Sequence, residues 1–313
     1  MKFDQPIPIQ KIAARLKADI IGDNTGNALG INEIHHVKAG DITFSDVKKY
    51  FEKALNSAAT FIILNETPEA IPEGKIVLLH PQPFEAYNSL VRLQRPFDPL
   101  SNDIADSAAI HESVIFEPNV VIGNHVRIGL GSYIQENAVI HDFTVIGKNV
   151  QIGAGALIGT DAFYFKRNTV ADADESGKGY KKWRSGGRVV IEDNVDIGAG
   201  CTINKGVSSD TLIGAGTKID CQVHIGHDAQ IGKNCLIAAQ VGISGNTVLE
   251  DEVVVYGQVG IAQNLRIGRK AVILAKSGVS KDLAGEKTYF GYPAQEVRDA
   301  YKELAILRQM RKK

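Results

Sequence analysis

The sequence is poor in several residue types that mark particular classes of protein. Its 313 residues contain three cysteines, two methionines and one tryptophan. The cysteines, Cys201, Cys221 and Cys235, are too far apart for a C-x-x-C metal or redox pair, and an odd number does not form a disulfide framework. We therefore expect a reducing compartment and interpret the chain as cytoplasmic.

Two further absences narrow the class. No run approaches the ~18 consecutive apolar residues of a membrane-spanning helix, and the N-terminus lacks a basic-then-apolar signal peptide. Peripheral contact with a membrane stays open. The 35 basic and 36 acidic residues give a formal net charge of −1, without the basic excess that a dedicated nucleic-acid binder usually carries.

An apolar residue recurs at every sixth position through most of the chain. The first run begins at Ile104 and ends at Ile158, with isoleucine at nine of its ten positions. A second run begins at Ile191 and, after a four-residue excess, continues from Ile213 to Val279. Each unit is typical of a short strand and a turn, and glycine often follows the anchor, where we expect it to relieve positive φ. Three units close one coil of 18 residues, which predicts a β-solenoid with buried anchors.

The N-terminal segment lacks this repeat. Residues 1–100 are predicted to form a small α/β domain, with helices at 9–18 and 83–94 and strands at 60–64 and 75–80. The polar, proline-containing stretch that follows is the expected connector to the solenoid.

The remaining residues are assigned to the solenoid and a C-terminal extension. Residues 101–285 hold the repeat, interrupted at 159–190 by an insertion that is longer than an ordinary turn. Insertions of this length are usually functional or mobile. Residues 286–313 are predicted to form a helical extension that begins at Pro293.

A candidate site lies near one anchor of the second run. His224 and His227 flank Ile225, and counting by 18 from His227 leads to Gly245 and then to Gln263. These three residues are therefore expected in one column, with coils ~4.8 Å apart. An imidazole base beside a backbone N–H that can hold an oxyanion suits acyl transfer. From the pattern alone, a solvated histidine beside a turn is the alternative interpretation.

Longer motifs resemble one family. The stretches IGTDAFYF, YKKW, GRVVIEDNVDIGAGCTI, HIGHDAQIGKNCLIAAQVGISG and GYPAQ, with ITF and KKY near residues 42–50, resemble the UDP-3-O-(3-hydroxyacyl)glucosamine N-acyltransferases of lipid A biosynthesis. The resemblance covers nearly the whole chain. It implies a mainly β, left-handed parallel β-helix with a small N-terminal uridine-nucleotide-binding domain, against the usual right-handed crossover preference. It also implies a homotrimer with sites in the clefts between subunits.

The resemblance also implies a reaction. A 3-hydroxyacyl group passes from acyl carrier protein to the 2-amine of UDP-3-O-acylglucosamine. No bound cofactor or metal is implied, because the phosphopantetheine belongs to the donor substrate. Carried over residue by residue, the resemblance makes His227 the general base and Gly245 the oxyanion donor.

Further site residues follow from the same match. Asp220 corresponds to an acidic position near the family's active site. It lies seven residues before His227, so we expect it to orient His227 only across a subunit boundary, if at all. In the N-terminal domain, Phe44 is expected to stack on uracil, with Lys49 and Tyr50 as nucleotide or phosphate contacts. Without the family, Phe44 would be interpreted as an ordinary strand residue.

Four positions depart from the family pattern. Gln263 stands where many members have a second histidine, and glutamine cannot carry a proton at neutral pH. Asp228 and Val47 stand where asparagine is common, and His224 stands where glutamine is common. These departures leave the acyltransferase class intact and the exact acceptor sugar and rate open.

Other interpretations remain at this stage. The nearest is a paralogue that uses another nucleotide-linked amino sugar or an acyl-CoA donor. A metal-dependent hydratase with His224 and His227 as ligands, and a scaffold without turnover, come from different classes. Basic residues near the C-terminus are candidates for steering an acidic carrier protein, although a solvated helix end explains them equally well; they are Lys302, Arg308, Arg311, Lys312 and Lys313.

Overall fold

The computed structural model describes residues 1–23, 25–167 and 179–311. They form two compact units. The N-terminal unit comprises the described parts of 1–97, 164–187 and 207–209, and the solenoid unit comprises 98–163, 188–206 and 210–311. Part of the predicted insertion, 168–178, and Lys312 and Lys313 of the basic tail lie outside the described residues.

The N-terminal unit consists of one mixed sheet and the helices that pack on it. Its elements, in chain order, are β1 (Lys2–Pro8), α1 (Ile9–Leu16), β2 (Asp19–Ile21), β3 (Asn27–Ile31), β4 (Asp41–Ser45), a 3-10 helix (Lys48–Tyr50), α2 (Phe51–Leu55), β5 (Phe61–Leu64), β6 (Ile76–Leu79) and α3 (Pro83–Gln94). The sheet order is β1-β3-β4-β5-β6-β2, parallel from β3 to β6 and antiparallel at both edges. The helices and strands predicted from apolar spacing are confirmed to within two residues.

The core of this unit lies between the sheet and its helices. Helix α1 buries a stripe at helical spacing, which includes Ile9, Ile12 and Leu16. Helix α3 buries Phe84 and Tyr87 in the same way. Strand β4 is therefore held in the middle of a packed sheet, and its position fixes the side chains of the pocket described below.

Both described ends of the insertion belong to the N-terminal unit. Phe165–Arg167 and Tyr180–Lys182 pair as an antiparallel hairpin. The Arg184 N–H donates to Asn88 Oδ1 on α3 at 3.0 Å. The four-residue excess of the repeat also lies here, where the Gly186 N–H donates to the carbonyl of Val207 at 2.8 Å. The insertion was predicted from the broken repeat, but its packing partner was not.

The solenoid unit is a parallel β-helix with three faces. Among the described residues the faces are sheets of eight, ten and eight strands. The first face contains Ala109–Ile110, Arg127–Ile128, Val145–Ile146, Arg188–Ile191, Asp210–Ile213, Gln230–Ile231, Val248–Leu249 and Arg266–Ile267. The second face contains Ile115–Phe116, Tyr133–Ile134, Gln151–Ile152, Asp196–Ile197, Lys218–Ile219, Leu236–Ile237, Val254–Val255, Val272–Ile273, Thr288–Phe290 and Gln295–Glu296. The third face contains Val121–Ile122, Val139–Ile140, Leu157–Thr160, Thr202–Asn204, His224–Ile225, Gly242–Ile243, Gly260–Ile261 and Gly278–Val279.

The register of the coils follows the repeat. Ile225 pairs with Ile243 and Ile243 with Ile261, each in the next coil. The anchors form one continuous core, in which Cys201 and Cys235 are also buried. The predicted left-handed parallel β-helix is confirmed.

The role predicted for the glycines after the anchors is wrong. Positive φ falls two residues later and mostly on other residues, such as Asp228 with φ 57° and Asn246 with φ 58°. The glycine is needed because the next coil approaches closely. A Cβ built on Gly232 would lie 2.6 Å from the backbone nitrogen of Asp251.

The chain continues into helix α4, Val297–Met310. The helix does not begin at Pro293 as predicted, because Gln295–Glu296 first pairs antiparallel with Thr288–Phe290. Among the described helices, none combines the length and the apolar character that crossing a membrane requires.

Candidate active site

The corner between the third and first faces holds His227. Its turn connects His224–Ile225 to Gln230–Ile231, and the residue is only 8% exposed. Two hydrogen bonds fix the turn. The Asp228 N–H donates to Thr211 Oγ1 at 2.8 Å, and the Asn246 N–H donates to the His227 carbonyl at 2.8 Å. The imidazole therefore has a defined position at the corner.

The carboxylate of Asp228 orients the imidazole. His227 Nδ1 lies 2.9 Å from Asp228 Oδ2, and the Asp228 side chain is fully buried. An ionised carboxylate can only accept a hydrogen bond, so the proton is assigned to Nδ1. Nε2 then carries the lone pair that a general base uses.

Gly245 lies directly over this ring, one coil further along. A Cβ built on Gly245 would lie 2.5 Å from His227 Nε2 and 2.7 Å from Cε1. Any other residue would displace the imidazole. A Cβ built on Gly226 would lie 2.5 Å from the Gly245 nitrogen, so the second glycine leaves space beside that amide.

The Gly245 amide makes no hydrogen bond to any described residue. In seven other described turns the equivalent N–H, two residues after the anchor, donates to a side-chain oxygen at 2.7–3.1 Å; these are the N–H groups of Asn124, Lys148, Ala154, Ala215, Cys221, Lys233 and Arg269. An uncapped N–H beside a base is the donor that a developing oxyanion requires.

The column predicted by counting is present in the structure. Gln263 occupies the next level of the same corner and is exposed, and the Asn264 N–H beside it donates to the Gly245 carbonyl at 3.1 Å. Asp220 lies elsewhere, at the corner between the second and third faces, where its carboxylate accepts the Cys221 N–H at 2.7 Å. The structure thus brings His227, Gly245 and Gln263 to one corner and places Asp220 at another.

His224 lies on the third face, beside this corner. Its Nδ1 is 2.7 Å from Thr202 Oγ1. The hydratase alternative needs a third ligand for a metal. Within the part of the chain that the structure describes, no group of three His, Cys, Asp or Glu side chains could hold a metal ion.

The N-terminal unit contains a cavity of about 420 Å³. Phe44 and Tyr50 line it, as do Lys53, Lys166 and Trp183. The Phe44 ring packs against Trp183 with centroids 5.2 Å apart. Two of the three residues predicted for nucleotide binding therefore share one cavity.

Lys49, the third, does not line this cavity. Its Nζ lies 4.7 Å from the centroid of the Tyr50 ring. The cations at the cavity are Lys53 and Lys166, and Lys166 forms an ion pair with Asp46. His35 also lines the cavity, and burial and the nearby Lys53 lower its pKa below the usual value.

Comparisons with known proteins identify the family of the chain. The family model described as bacterial transferase hexapeptide (six repeats) matches residues 210–245. A UDP-3-O-acylglucosamine N-acyltransferase of Bradyrhizobium sp. is 36% identical over an alignment of 254 residues that covers 72% of this chain and 71% of the relative. One from Dechloromonas aromatica is 35% identical over 72% of this chain and 68% of the relative. The chain belongs to the UDP-3-O-acylglucosamine N-acyltransferase family.

Solved structures of related acyltransferases share the solenoid. LpxA from Acinetobacter baumannii has a TM-score of 0.53 at 28% identity, and covers 62% of this chain and 70% of its own. The UDP-N-acetylglucosamine acyltransferase of Francisella novicida has a TM-score of 0.52 at 29% identity, over 64% and 70% of the two chains. This member of the N-acyltransferase family is therefore an enzyme of lipid A biosynthesis built on a hexapeptide-repeat β-helix.

Sequence reasoning missed several residues around both sites of this N-acyltransferase. Asp228 was noted only as a departure from asparagine, although its position next to His227 was a signal. Lys53 carried no motif. Trp183 lies in the YKKW stretch and Lys166 directly follows IGTDAFYF, and no sequence pattern indicated which residues these two side chains contact.

Proposed function

We propose that the enzyme transfers a 3-hydroxyacyl group from acyl carrier protein to the 2-amine of UDP-3-O-acylglucosamine. The observation that carries the proposal is the stacking of the His227 imidazole against Gly245, whose amide has no partner among the described residues. The names of the relatives support the acceptor. The site's own chemistry supports acyl transfer to a neutral nucleophile.

The first step is attack of the amine on the thioester carbonyl. As the new C–N bond forms, His227 Nε2 takes a proton from the amine. The Asp228 carboxylate accepts the Nδ1–H bond and stabilises the imidazolium that results. The carbonyl oxygen becomes an oxyanion and accepts a hydrogen bond from the Gly245 N–H.

The second step is collapse of this tetrahedral intermediate. The C–S bond breaks, and the phosphopantetheine sulfur leaves with the proton that His227 returns. The product is an amide on the sugar, and His227 is again neutral. No acyl-enzyme is formed. The low exposure of His227 limits access of water, which would otherwise compete with the amine.

The cavity of the N-terminal unit suits the nucleotide part of the acceptor. We infer that uracil stacks on the aromatic side chains at Phe44 and Tyr50. Lys53 and Lys166 provide cations for the diphosphate. Val47 lines the same cavity without an amide, so base recognition there relies more on stacking than in members with asparagine.

The donor is proposed to approach through basic residues of α4. Lys302, Arg308 and Arg311 are exposed on this helix, as contact with an acidic carrier protein requires. Lys302 contributes less positive charge to this surface, because its Nζ lies 3.1 Å from the carboxylate of Asp299. A homotrimer in the cytoplasm, free of bound cofactor and metal, completes the proposal.

Mass spectrometry of the reaction product tests the chemistry. Purified enzyme is given UDP-3-O-acylglucosamine with a 3-hydroxyacyl carrier protein or with the matching acyl-CoA. We expect the N-acylated sugar with the carrier protein. If product formed only from acyl-CoA, the donor would be acyl-CoA and not the carrier protein. If product formed only with another UDP-amino sugar, that sugar would be the acceptor.

Titration with UDP tests the cavity separately. Phe44→Ala should weaken UDP binding by about tenfold, because base stacking is worth ~1–3 kcal/mol. Phe97→Ala is the matched control, since this ring is 85% exposed in the same unit and does not line the cavity. Equal UDP affinity for both variants would show that the nucleotide does not bind in this cavity.

A further inference from the structure

His224 presents one ring nitrogen beside the reacting corner. It lies in register with Thr202 of the preceding coil, and the Thr202 hydroxyl holds Nδ1 at 2.7 Å. The side chain is exposed on the third face. This contact anchors the ring through Nδ1, and Nε2 lies on the other side of the ring.

An open strip begins above this ring. The next two residues in register are Gly242 and Gly260, and a Cβ built on either would meet no atom within 4 Å. At the third level the strip is closed, because a Cβ on Gly278 would lie 2.1 Å from the Tyr292 ring. The open strip, formed by Gly242 and Gly260, therefore has His224 below it and Tyr292 above it.

The strip adjoins the catalytic pair in sequence and in space. His224 precedes His227 by three residues on one coil, and Gly242 precedes Gly245 by three on the next. Gly242 and His224 therefore lie on the two strands that lead into the corner of His227 and Gly245.

We infer that the open strip takes the first carbons of the acyl group and that His224 Nε2 hydrogen-bonds to the 3-hydroxyl. The inference rests on the proposed function, and it makes His224 a specificity-determining residue. A hydroxyl both donates and accepts, so it pairs with Nε2 in either imidazole tautomer. The bare backbone of the strip suits the methylene carbons that follow.

The charge state of His224 fits this role. Partial desolvation of the ring lowers its pKa below the usual value, which favours the neutral imidazole. A neutral ring forms a hydrogen bond with the hydroxyl without adding a positive charge next to His227.

The test compares two donors on the same carrier protein. The donors have equal chain length and differ only in the 3-hydroxyl. We expect wild type to prefer the hydroxylated donor in kcat/KM. His224→Ala should lower this preference about tenfold, the scale of one lost hydrogen bond. His224→Gln, which can also donate and accept, should retain most of the preference.

A matched histidine provides the control. His111 is also exposed on the solenoid unit, and its Nδ1 lies 2.9 Å from Ser113 Oγ, as that of His224 does from Thr202. His111→Ala should leave the preference as in wild type. Thr202→Val should reduce the preference less than His224→Ala, because it only releases the ring.

The outcomes separate the inference from the proposed function. Equal kcat/KM for the two donors in wild type, or an unchanged preference in His224→Ala, overturns the role of His224 while acyl transfer stands. Absence of transfer from either donor by wild type overturns the proposed function itself. A preference that falls in His224→Ala and returns in His224→Gln supports the inference.

Discussion

Two corners of the solenoid have similar backbone spacing between successive coils, but different side chains lie over them in the next coil. At the corner between the first and second faces, Asp251 lies over Lys233 and its carboxylate accepts the Lys233 N–H at 2.8 Å. At the corner between the third and first faces, Gly245 lies over His227 with no side chain at all. The backbones approach equally closely at both corners. A Cβ built on Gly232 would lie 2.6 Å from the Asp251 nitrogen, and one built on Gly226 would lie 2.5 Å from the Gly245 nitrogen.

The side chain that lies between two coils can therefore serve the stability of the turn or its chemistry. Asp142 over Asn124 and Asp193 over Lys148 repeat the capped arrangement. A carboxylate at this position satisfies a backbone donor, which favours folding. At the corner of His227, an imidazole fills the space that the capping side chain occupies in the other turns.

Removing the proposed base should have the largest effect on turnover. His227→Ala should lower kcat by ~10²–10⁴-fold, because the amine loses its proton acceptor. The melting temperature should stay near that of wild type. Activity within tenfold of wild type, measured with the product assay above, would mean that the uncapped corner works without a base.

Filling the space over the ring should come next. Gly245→Ala should cost about 100-fold in kcat, because the added Cβ would lie 2.5 Å from Nε2 and must move the imidazole. Gly257→Ala is the matched control, since it occupies the same place in another turn and its Cβ would meet Ala239 O at 3.4 Å. Equal activity in the two variants would show that the position of the imidazole beneath Gly245 is not critical for acyl transfer.

Changing the charge behind the base should have a smaller effect. Asp228→Asn should lower kcat about tenfold with little change in KM, because the amide oxygen still accepts the Nδ1–H bond but carries no charge. Asp228→Ala should lose more, since it also removes the acceptor. A rise in KM with kcat unchanged would assign Asp228 to substrate binding instead.

Uncapping the structural corner should have the smallest effect. Asp251→Ala should lower the free energy of unfolding by ~1 kcal/mol, the scale of one hydrogen bond, and leave turnover unchanged. Denaturant titration measures the first and the product assay the second. Loss of turnover without loss of stability would contradict the separation of the two corners.

Much of the catalytic corner could be predicted because parallel coils have a strict register. A slip of one residue would turn every anchor outward, so the buried isoleucines fix the coil length, and counting then places Gly245 over His227. Asp228 could not be recognised as the partner of His227 in this way. Its contact depends on the turn conformation, with φ 57°, which periodicity does not encode.

The N-terminal cavity was harder to predict for a different reason. Local apolar spacing predicted helices α1 and α3, because each buries a stripe of its own. The Trp183 ring reaches Phe44 from a segment more than 130 residues away, and no local pattern encodes that contact. The same holds for Lys166, whose ion pair with Asp46 spans 120 residues.

The pair proposed for catalysis, His227 and Gly245, spans two successive coils, and this limits how the chain can change in length. An insertion or deletion of one residue between 228 and 245 would carry the amide away from the imidazole, whereas gain or loss of a complete coil after Gln263 would leave their separation intact. Indels in this enzyme family should therefore avoid that interval, and duplications of whole coils should accumulate toward the ends of the prism.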